Sequence, residues 1–176
     1  MYRSKEKRTK PPLDTDGLRN LALHYVGRYA TTKAKLSRYL NRKIIERGWT
    51  GERPADVEAL LAEFAERAYV DDALFAEGRA RAFVRRGYGQ NRLRQDLHAA
   101  GIDDSYAAGA QAHMDDGMFE AAENFARRKR IGPFAAQLAS PEKQKKQLAA
   151  FLRAGHSFDL SKRFVRAEPG TIVEPE

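Results

Sequence analysis

Apolar residues recur along most of the chain at the three- and four-residue spacing of amphipathic helices. Leu36, Leu40 and Ile44, for example, fall on one face of a predicted helix. No run of alternating β-branched residues indicates a strand. The pattern therefore predicts an all-α protein. Helices are expected at residues 14–29, 32–47, 54–67, 72–86, 90–100, 104–114, 116–130, 141–154 and 157–167.

Three of the predicted helices end at a glycine, namely Gly48, Gly101 and Gly155, and these glycines are 53 and 54 residues apart. Each glycine suits the left-handed position that closes a helix. A further predicted helix stands before and after each of the three, so the spacing predicts tandem three-helix repeats at residues 14–68, 69–114 and 115–168. Such arrays form an elongated, curved fold with an extended concave surface. A compact helical bundle with coincidental glycine spacing is the alternative.

The two ends of the chain lack this periodicity. Residues 1–13 carry five cations against Glu6 and finish at two prolines, which predicts a flexible basic arm. The arm has no apolar segment behind its charges and is no secretory signal, so we expect a cytoplasmic protein. Residues 169–176 combine prolines, a glycine and acids, and we expect a disordered tail there.

The composition favours a binding protein. The chain is 42% hydrophobic and 32% charged, with a formal net charge of +8 and a sequence pI of about 9.8. The excess of cations favours a polyanionic partner such as nucleic acid, and no uncharged stretch is long enough to span a membrane. The absence of cysteine excludes disulfides, thiolate metal sites and a cysteine nucleophile.

Candidate catalytic groups have simpler explanations. Paired acids occur at residues 71–72, 103–104 and 115–116, each where a helix is predicted to begin, so we interpret them as helix caps. The four histidines are scattered, and no nucleophile elbow or Gly-Lys-Ser/Thr loop is present. We expect a monomeric, non-enzymatic protein without a cofactor or metal.

The segment RRGYGQNRLRQDL places Gly87-Tyr88-Gly89 between two predicted helices. Such a loop could cradle a phosphate on backbone amides at the start of a helix. Here no Lys-Ser/Thr follows the glycines. We therefore favour a tight corner between helices, in which glycine takes angles that other residues avoid and Tyr88 packs between helices.

Clusters of cations recur in all three predicted repeats. Since surface solvation alone does not require such clusters, they are candidate contacts to a polyanion or to an acidic protein surface. A cation at the C-terminal end of a helix also stabilises the helix dipole, which offers a structural explanation for the run at 127–130. The candidates are Arg38, Arg42, Arg81, Arg85, Arg86, Arg92, Arg94, Arg127, Arg128, Lys129, Arg130, Lys143 and Lys146.

The stretch YVDDALFAEGRARAFVRRGYGQNRLRQDLHAAGI, residues 69–102, resembles the RecX family, regulators of the bacterial recombinase RecA. The likeness extends more weakly into the first and third repeats. Two departures occur at Lys35, where an acid is common, and at Arg79, where the family is often apolar. The residues that carry the resemblance include Tyr69, Asp71, Asp72, Phe75, Gly87, Tyr88, Gly89, Leu97 and Gly101.

The resemblance implies an array of three-helix repeats that binds the RecA-type recombinase filament on single-stranded DNA. Binding there would limit strand exchange and the filament's ATP hydrolysis. The resemblance also implies an absence of catalysis and weaker, salt-sensitive binding to single- and double-stranded DNA.

A helix-turn-helix transcription factor is the alternative function. The helix, corner and second helix fit that motif, and Gln90, Asn91 and Arg94 could contact base edges from the start of a recognition helix. Such proteins generally bind two half-sites as dimers, and no dimerisation segment is evident.

Overall fold

The computed structural model of the protein describes residues 10–175, and the regular secondary structure in this part of the chain is helical apart from one isolated parallel bridge between Leu13 and Trp49. A short 3₁₀-helix at Gly132–Phe134 lies between α7 and α8. The α-helices are α1 (Thr15–Arg28), α2 (Lys33–Arg47), α3 (Val57–Glu66), α4 (Asp72–Arg86), α5 (Gln90–Ala100), α6 (Asp104–Asp116), α7 (Met118–Lys129), α8 (Pro141–Arg153) and α9 (Phe158–Arg166).

The predicted all-α class is confirmed, and the order of the helices fits a three-helix repeat array. The observed bounds of all the helices in the described part of the chain lie within three residues of the predicted ones. Asp103 accepts a hydrogen bond from the Tyr106 N–H and so caps α6, as expected. The cap predicted at residues 115–116 is wrong because α6 continues through Asp116, and Gly117 precedes α7 without a side-chain cap.

The chain divides into two compact units, one ending at Asp72 and the other beginning at Ala73. The first unit has its own core, in which Leu36, Leu40 and Phe64 are fully buried. Asp72 is buried at its edge and accepts a hydrogen bond from the Lys33 N–H at the start of α2, at 2.9 Å. This carboxylate therefore accepts a hydrogen bond from the N-terminal turn of α2.

The flexible arm predicted for residues 1–13 requires a correction at its end. Residues 1–9 lie outside the described residues. Leu13 is only 1% exposed, its N–H donates to the Gly48 carbonyl at 2.9 Å, and its own carbonyl accepts from the Thr50 N–H at 2.8 Å. The chain is therefore tied to the first core before α1 begins, because Leu13 supplies an apolar side chain and a backbone bridge together.

Two hydrophobic clusters make up the second unit. One joins α4, α5 and α6 around Leu93, Leu97 and Met114. The other joins α7, α8 and α9. Tyr88, from the Gly-Tyr-Gly corner, packs against both clusters.

Arg79, the unusual cation on the apolar side of α4, is paired within this unit. Its Nε and Nη2 donate to the two carboxylate oxygens of Asp96 on α5, at 2.8 and 2.7 Å. Its guanidinium also lies 5.1 Å from the centre of the Phe83 ring. The two-pronged contact lets a cation join α4 to α5 without leaving a charge unpaired.

The disordered tail predicted for residues 169–176 is corrected between Gly170 and Glu174, whereas Glu176 lies outside the described residues. Gly170, at a φ of +79°, donates its N–H to the Pro133 carbonyl at 2.9 Å and turns the chain back. Val173 then packs against the hydrophobic cluster that joins α7, α8 and α9. The Arg163 side chain donates a hydrogen bond to the Glu174 carbonyl. The segment has no helical pattern, yet it contacts the fold through one apolar side chain and its backbone.

The division into three repeats at 14–68, 69–114 and 115–168 stays a prediction. In residues 10–175, no helix is both long enough and apolar enough for a membrane crossing.

Candidate functional site

Gly87 and Tyr88 close α4. The Gly87 N–H donates to the Val84 carbonyl and the Tyr88 N–H to the Phe83 carbonyl, both at 2.9 Å, which is the Schellman pattern. Gly87 takes a φ of +70°, and a Cβ added there would lie 2.6 Å from the backbone nitrogen of Phe125 on α7. A glycine is needed here for its backbone angle and for the close approach to α7.

The start of α5 lies against the turn between α8 and α9. The Gly89 N–H donates to the Ala154 carbonyl at 2.9 Å, and the Asn91 N–H donates to the Gly155 carbonyl at 3.1 Å. A Cβ at Gly89 would lie 2.3 Å from the carbonyl carbon of Gly155. Because protein carbonyls already use these two amides, the structure supports the corner interpretation over a phosphate-cradling loop.

A cavity of about 460 Å³ opens beside this corner. Two aromatic residues, Tyr88 and Phe125, and two alanines, Ala150 and Ala154, are among its lining residues. No carboxylate is among its lining residues in the described part of the chain. Its remaining lining residues are four cations, which we call the cavity cations: Arg92, Arg128, Lys129 and Arg153.

Arg128 is held in place by the corner. Its guanidinium carbon lies 5.6 Å from the ring centres of both Tyr88 and Phe125. Its Nη1 donates to the Arg86 carbonyl, one residue before Gly87. Stacking and a backbone hydrogen bond together restrict the side chain, so one planar cation has a defined position at the wall of the cavity.

The buried side chain of His156 contacts the Gly-Tyr-Gly corner at the Gly87 carbonyl. The side chain is 2% exposed, packs against the rings of Phe125 and Phe151, and has its Nε2 3.2 Å from the Gly87 carbonyl. Burial lowers the pKa of His156 to about 4, against the raising effect of the Gly87 hydrogen bond and with a smaller lowering effect from Arg128. The ring is therefore neutral at pH 7, and we assign the proton to Nε2 because the Gly87 carbonyl can only accept.

The lowered pKa of His156 should make the free energy of unfolding depend on pH. The folded pKa of about 4 lies below the usual 6.5, so as the pH falls the unfolded chain takes up the proton first. The contribution is complete above pH 6.5 and is lost between pH 6.5 and 4. From pH 7.5 to 5.5 we expect a loss of about 1.3 kcal/mol in the free energy of unfolding, measured by urea denaturation.

The matched control for this prediction is His156→Gln, which can still donate to the Gly87 carbonyl but does not titrate. The other histidines and the carboxylates contribute equally in both proteins. The wild-type protein should lose more stability than the variant over this pH range. An identical pH dependence in the two proteins would contradict the assignment.

All thirteen cations predicted from the sequence are exposed. Within residues 10–175, acids one helical turn away partly compensate three of these cations in the pairs Arg42–Glu46, Arg81–Glu77 and Arg127–Glu123, and Arg38 also has an interaction of its own. Exposed pairs of this kind contribute little to stability.

The cavity brings together three of the thirteen, Arg92, Arg128 and Lys129, from α5 and α7. It does not include Arg85, Arg86 or Arg94 beside the corner, nor Arg127 and Arg130 on either side of Arg128 and Lys129. Lys143 and Lys146 lie on α8 outside it, and Arg38 and Arg42 lie in the first unit.

Arg153, the fourth cavity cation, was missed by the sequence analysis. It is the last residue of α8 and is isolated from the lysines at 143, 145 and 146. The one sequence feature that could have indicated it is the lack of an acid three or four residues earlier to pair with its charge, since Ala149 and Ala150 occupy those positions. Only the turn at Gly155 brings it beside Arg92.

The motif residues of the resemblance have structural roles. Tyr69 packs edge-on against Phe64, with ring centres 5.4 Å apart. Phe75 packs against the α4–α6 cluster and Leu97 is buried in it. Gly101, at a φ of +78°, closes α5. Asp71 is exposed beside the buried Asp72.

Comparison with known proteins identifies relatives. The family model "RecX, second three-helix domain" matches residues 71–110, which hold α4, α5 and part of α6. The "Regulatory protein RecX" of Myxococcus xanthus (strain DK1622) is 34% identical over 177 aligned positions, covering 95% of this chain and 95% of that protein.

Two solved structures share the fold. The crystal structure of RecX from Lactobacillus salivarius has a TM-score of 0.61 at 20% sequence identity, covering 85% of this chain and 93% of that one. A crystal structure titled regulatory protein RecX has a TM-score of 0.63 at 20% identity, covering 85% of this chain and 74% of that one. At this identity the likeness concerns the arrangement of the helices.

Proposed function

Because this chain belongs to the RecX family of regulatory proteins, we propose that it regulates a RecA-type recombinase by binding the recombinase filament on single-stranded DNA. It acts by occupancy and carries out no reaction of its own. The bound protein slows strand exchange and the filament's ATP hydrolysis. It works as a monomer, and it binds free single- and double-stranded DNA more weakly.

The observation that carries this proposal is the set of four cavity cations without a lining carboxylate, beside the corner that carries the resemblance. A nucleoprotein filament presents phosphate and acidic protein surface repeatedly, so modest contacts of this kind add along it. Weak binding to free DNA should fall steeply with salt because displaced counterions supply much of its free energy.

The helix-turn-helix alternative predicts free polar side chains at the start of α5. Instead, the Gln90 amide donates to Asp115 at 2.8 Å, and Arg94 donates to the Asn91 side chain at 3.4 Å. The backbone of the same turn lies against the α8–α9 turn. The geometry thus favours a corner that supports packing over a helix presented to base edges.

An ATPase assay of the cognate recombinase on single-stranded DNA tests the proposed function. Added at sub-stoichiometric to near-stoichiometric amounts, the purified protein should reduce the rate of ATP hydrolysis, because each bound copy restrains neighbouring filament subunits. An unchanged rate at saturating protein would contradict the proposal. A footprint on one palindromic duplex site, unaffected by the recombinase, would favour the transcription factor.

A further inference from the structure

We propose that the cavity beside the Gly-Tyr-Gly corner is a discrete binding site for a phosphate ester, held by the four cavity cations. The inference rests on the proposed function only for the source of that phosphate, the backbone of single-stranded DNA. It assigns the DNA-phosphate contact to the cavity cations, which include one residue that the sequence did not indicate.

The charges of the cavity cations are not neutralised by the protein. None of the four cavity cations makes an ion pair with a carboxylate in residues 10–175. By contrast, Arg81 and Arg127, outside the cavity, each have a glutamate one turn away. Four uncompensated cations around one concave space create a local positive potential that an anion relieves.

Helix dipoles explain only part of this arrangement. Lys129 and Arg153 are the last residues of α7 and α8, where a cation is favourable without any ligand. Arg92 lies in the first turn of α5, which contains no acid and where the dipole disfavours a cation. Placing Arg92 there beside three further cations works against folding, so its position indicates a ligand.

The corner fixes where these groups stand. A Cβ at Gly155 would lie 2.4 Å from the Arg92 backbone nitrogen, so the turn that follows Arg153 is in direct contact with the residue that carries the second guanidinium. Arg128 is restrained by two aromatic rings and the Arg86 carbonyl. The preorganised guanidinium group of Arg128 matches the oxygens of a phosphate and loses little side-chain freedom on binding.

The size of the cavity suits one nucleotide unit. Its volume of about 460 Å³ lies within the roughly 300–1,000 Å³ range of small-ligand sites. The α5 amides at Gly89 and Asn91 are already bonded to protein carbonyls, so side chains supply the donors. The aromatic residues and alanines that line the cavity suit the sugar or base next to the phosphate.

The test uses the full-length protein without the recombinase and a fluorescently labelled oligothymidylate as probe. Anisotropy titrations over a range of salt compare the wild type with Arg92→Gln/Arg153→Gln and with a control, Lys145→Gln/Arg166→Gln. The control removes two exposed charges from the same unit, outside the cavity. The cavity variant should bind at least tenfold more weakly, with the slope of log affinity against log salt reduced by about two, whereas the control should stay near the wild type.

Competitors identify the source of the phosphate. Competition by an abasic deoxyribose-phosphate oligomer, with a nucleoside diphosphate ineffective, supports the DNA backbone. Effective competition by the nucleoside diphosphate supports a phosphate site for free nucleotide and overturns the backbone assignment. Equal weakening in the cavity and control variants, or none in either, overturns the site. Because no recombinase is present, failure here leaves the ATPase test of the regulator unaffected.

Discussion

Gly89→Ala is expected to destabilise the protein by about 3 kcal/mol. Gly89 has a φ of −85°, which alanine accepts, so the backbone angle costs nothing. The added methyl group would lie 2.3 Å from the carbonyl carbon and oxygen of Gly155, and α5 would have to move from the α8–α9 turn. Overpacking of this kind costs about 1–3 kcal/mol, and losing the two backbone hydrogen bonds from Gly89 and Asn91 adds about 1 kcal/mol each.

Urea denaturation followed by circular dichroism measures this effect. Gly78→Ala is the matched control because Gly78 lies within α4 and a Cβ there meets nothing within 4 Å. Alanine should stabilise that position by up to about 1 kcal/mol through helix propensity. Equal midpoints for the two alanine variants would contradict the close backbone contact at the corner.

The helices were predictable because each buries one continuous stripe of apolar residues. The errors in the two terminal segments lie where a single residue acts without a periodic pattern. Leu13 joins the first core from a segment that otherwise consists of charges and prolines. Val173 contacts the α7–α9 cluster only because Gly170 turns the chain back. Periodicity describes a helix face, and neither of these residues belongs to one.

The sequence predicted the kind of residue at the candidate site, exposed arginines, but not which of them lie together. Exposed arginines near Gly87-Tyr88-Gly89 follow from the sequence, as does the corner itself. The cavity does not, since it depends on Gly155 bringing the end of α8 within backbone contact of α5, more than sixty residues earlier in the chain. The close approach of Gly89 and Gly155, which are far apart in the chain, leaves no local pattern in the sequence. The sequence therefore did not indicate that Arg153 lies near the other cavity cations.

Charge reversal at the candidate surface has the largest expected effect on function. Arg85 and Arg92 are both exposed, and neither forms an ion pair within residues 10–175. Arg85→Glu/Arg92→Glu replaces two of the proposed attractive contacts to the filament by repulsion, so the affinity should fall about tenfold or more. Thermal unfolding should change little, because exposed charges contribute little to stability.

Direct binding to a recombinase filament, assembled on single-stranded DNA with a non-hydrolysable ATP analogue, is the measurement that tests whether this protein binds the filament through the cations beside the Gly-Tyr-Gly corner. The control is Arg28→Glu/Arg53→Glu, which makes the same charge change at exposed positions of the first unit outside the candidate set. We expect tight binding by the wild type and the control, and at least tenfold weaker binding by Arg85→Glu/Arg92→Glu with an unchanged unfolding temperature. Wild-type affinity in that variant, or no binding by the wild-type protein, would contradict the account.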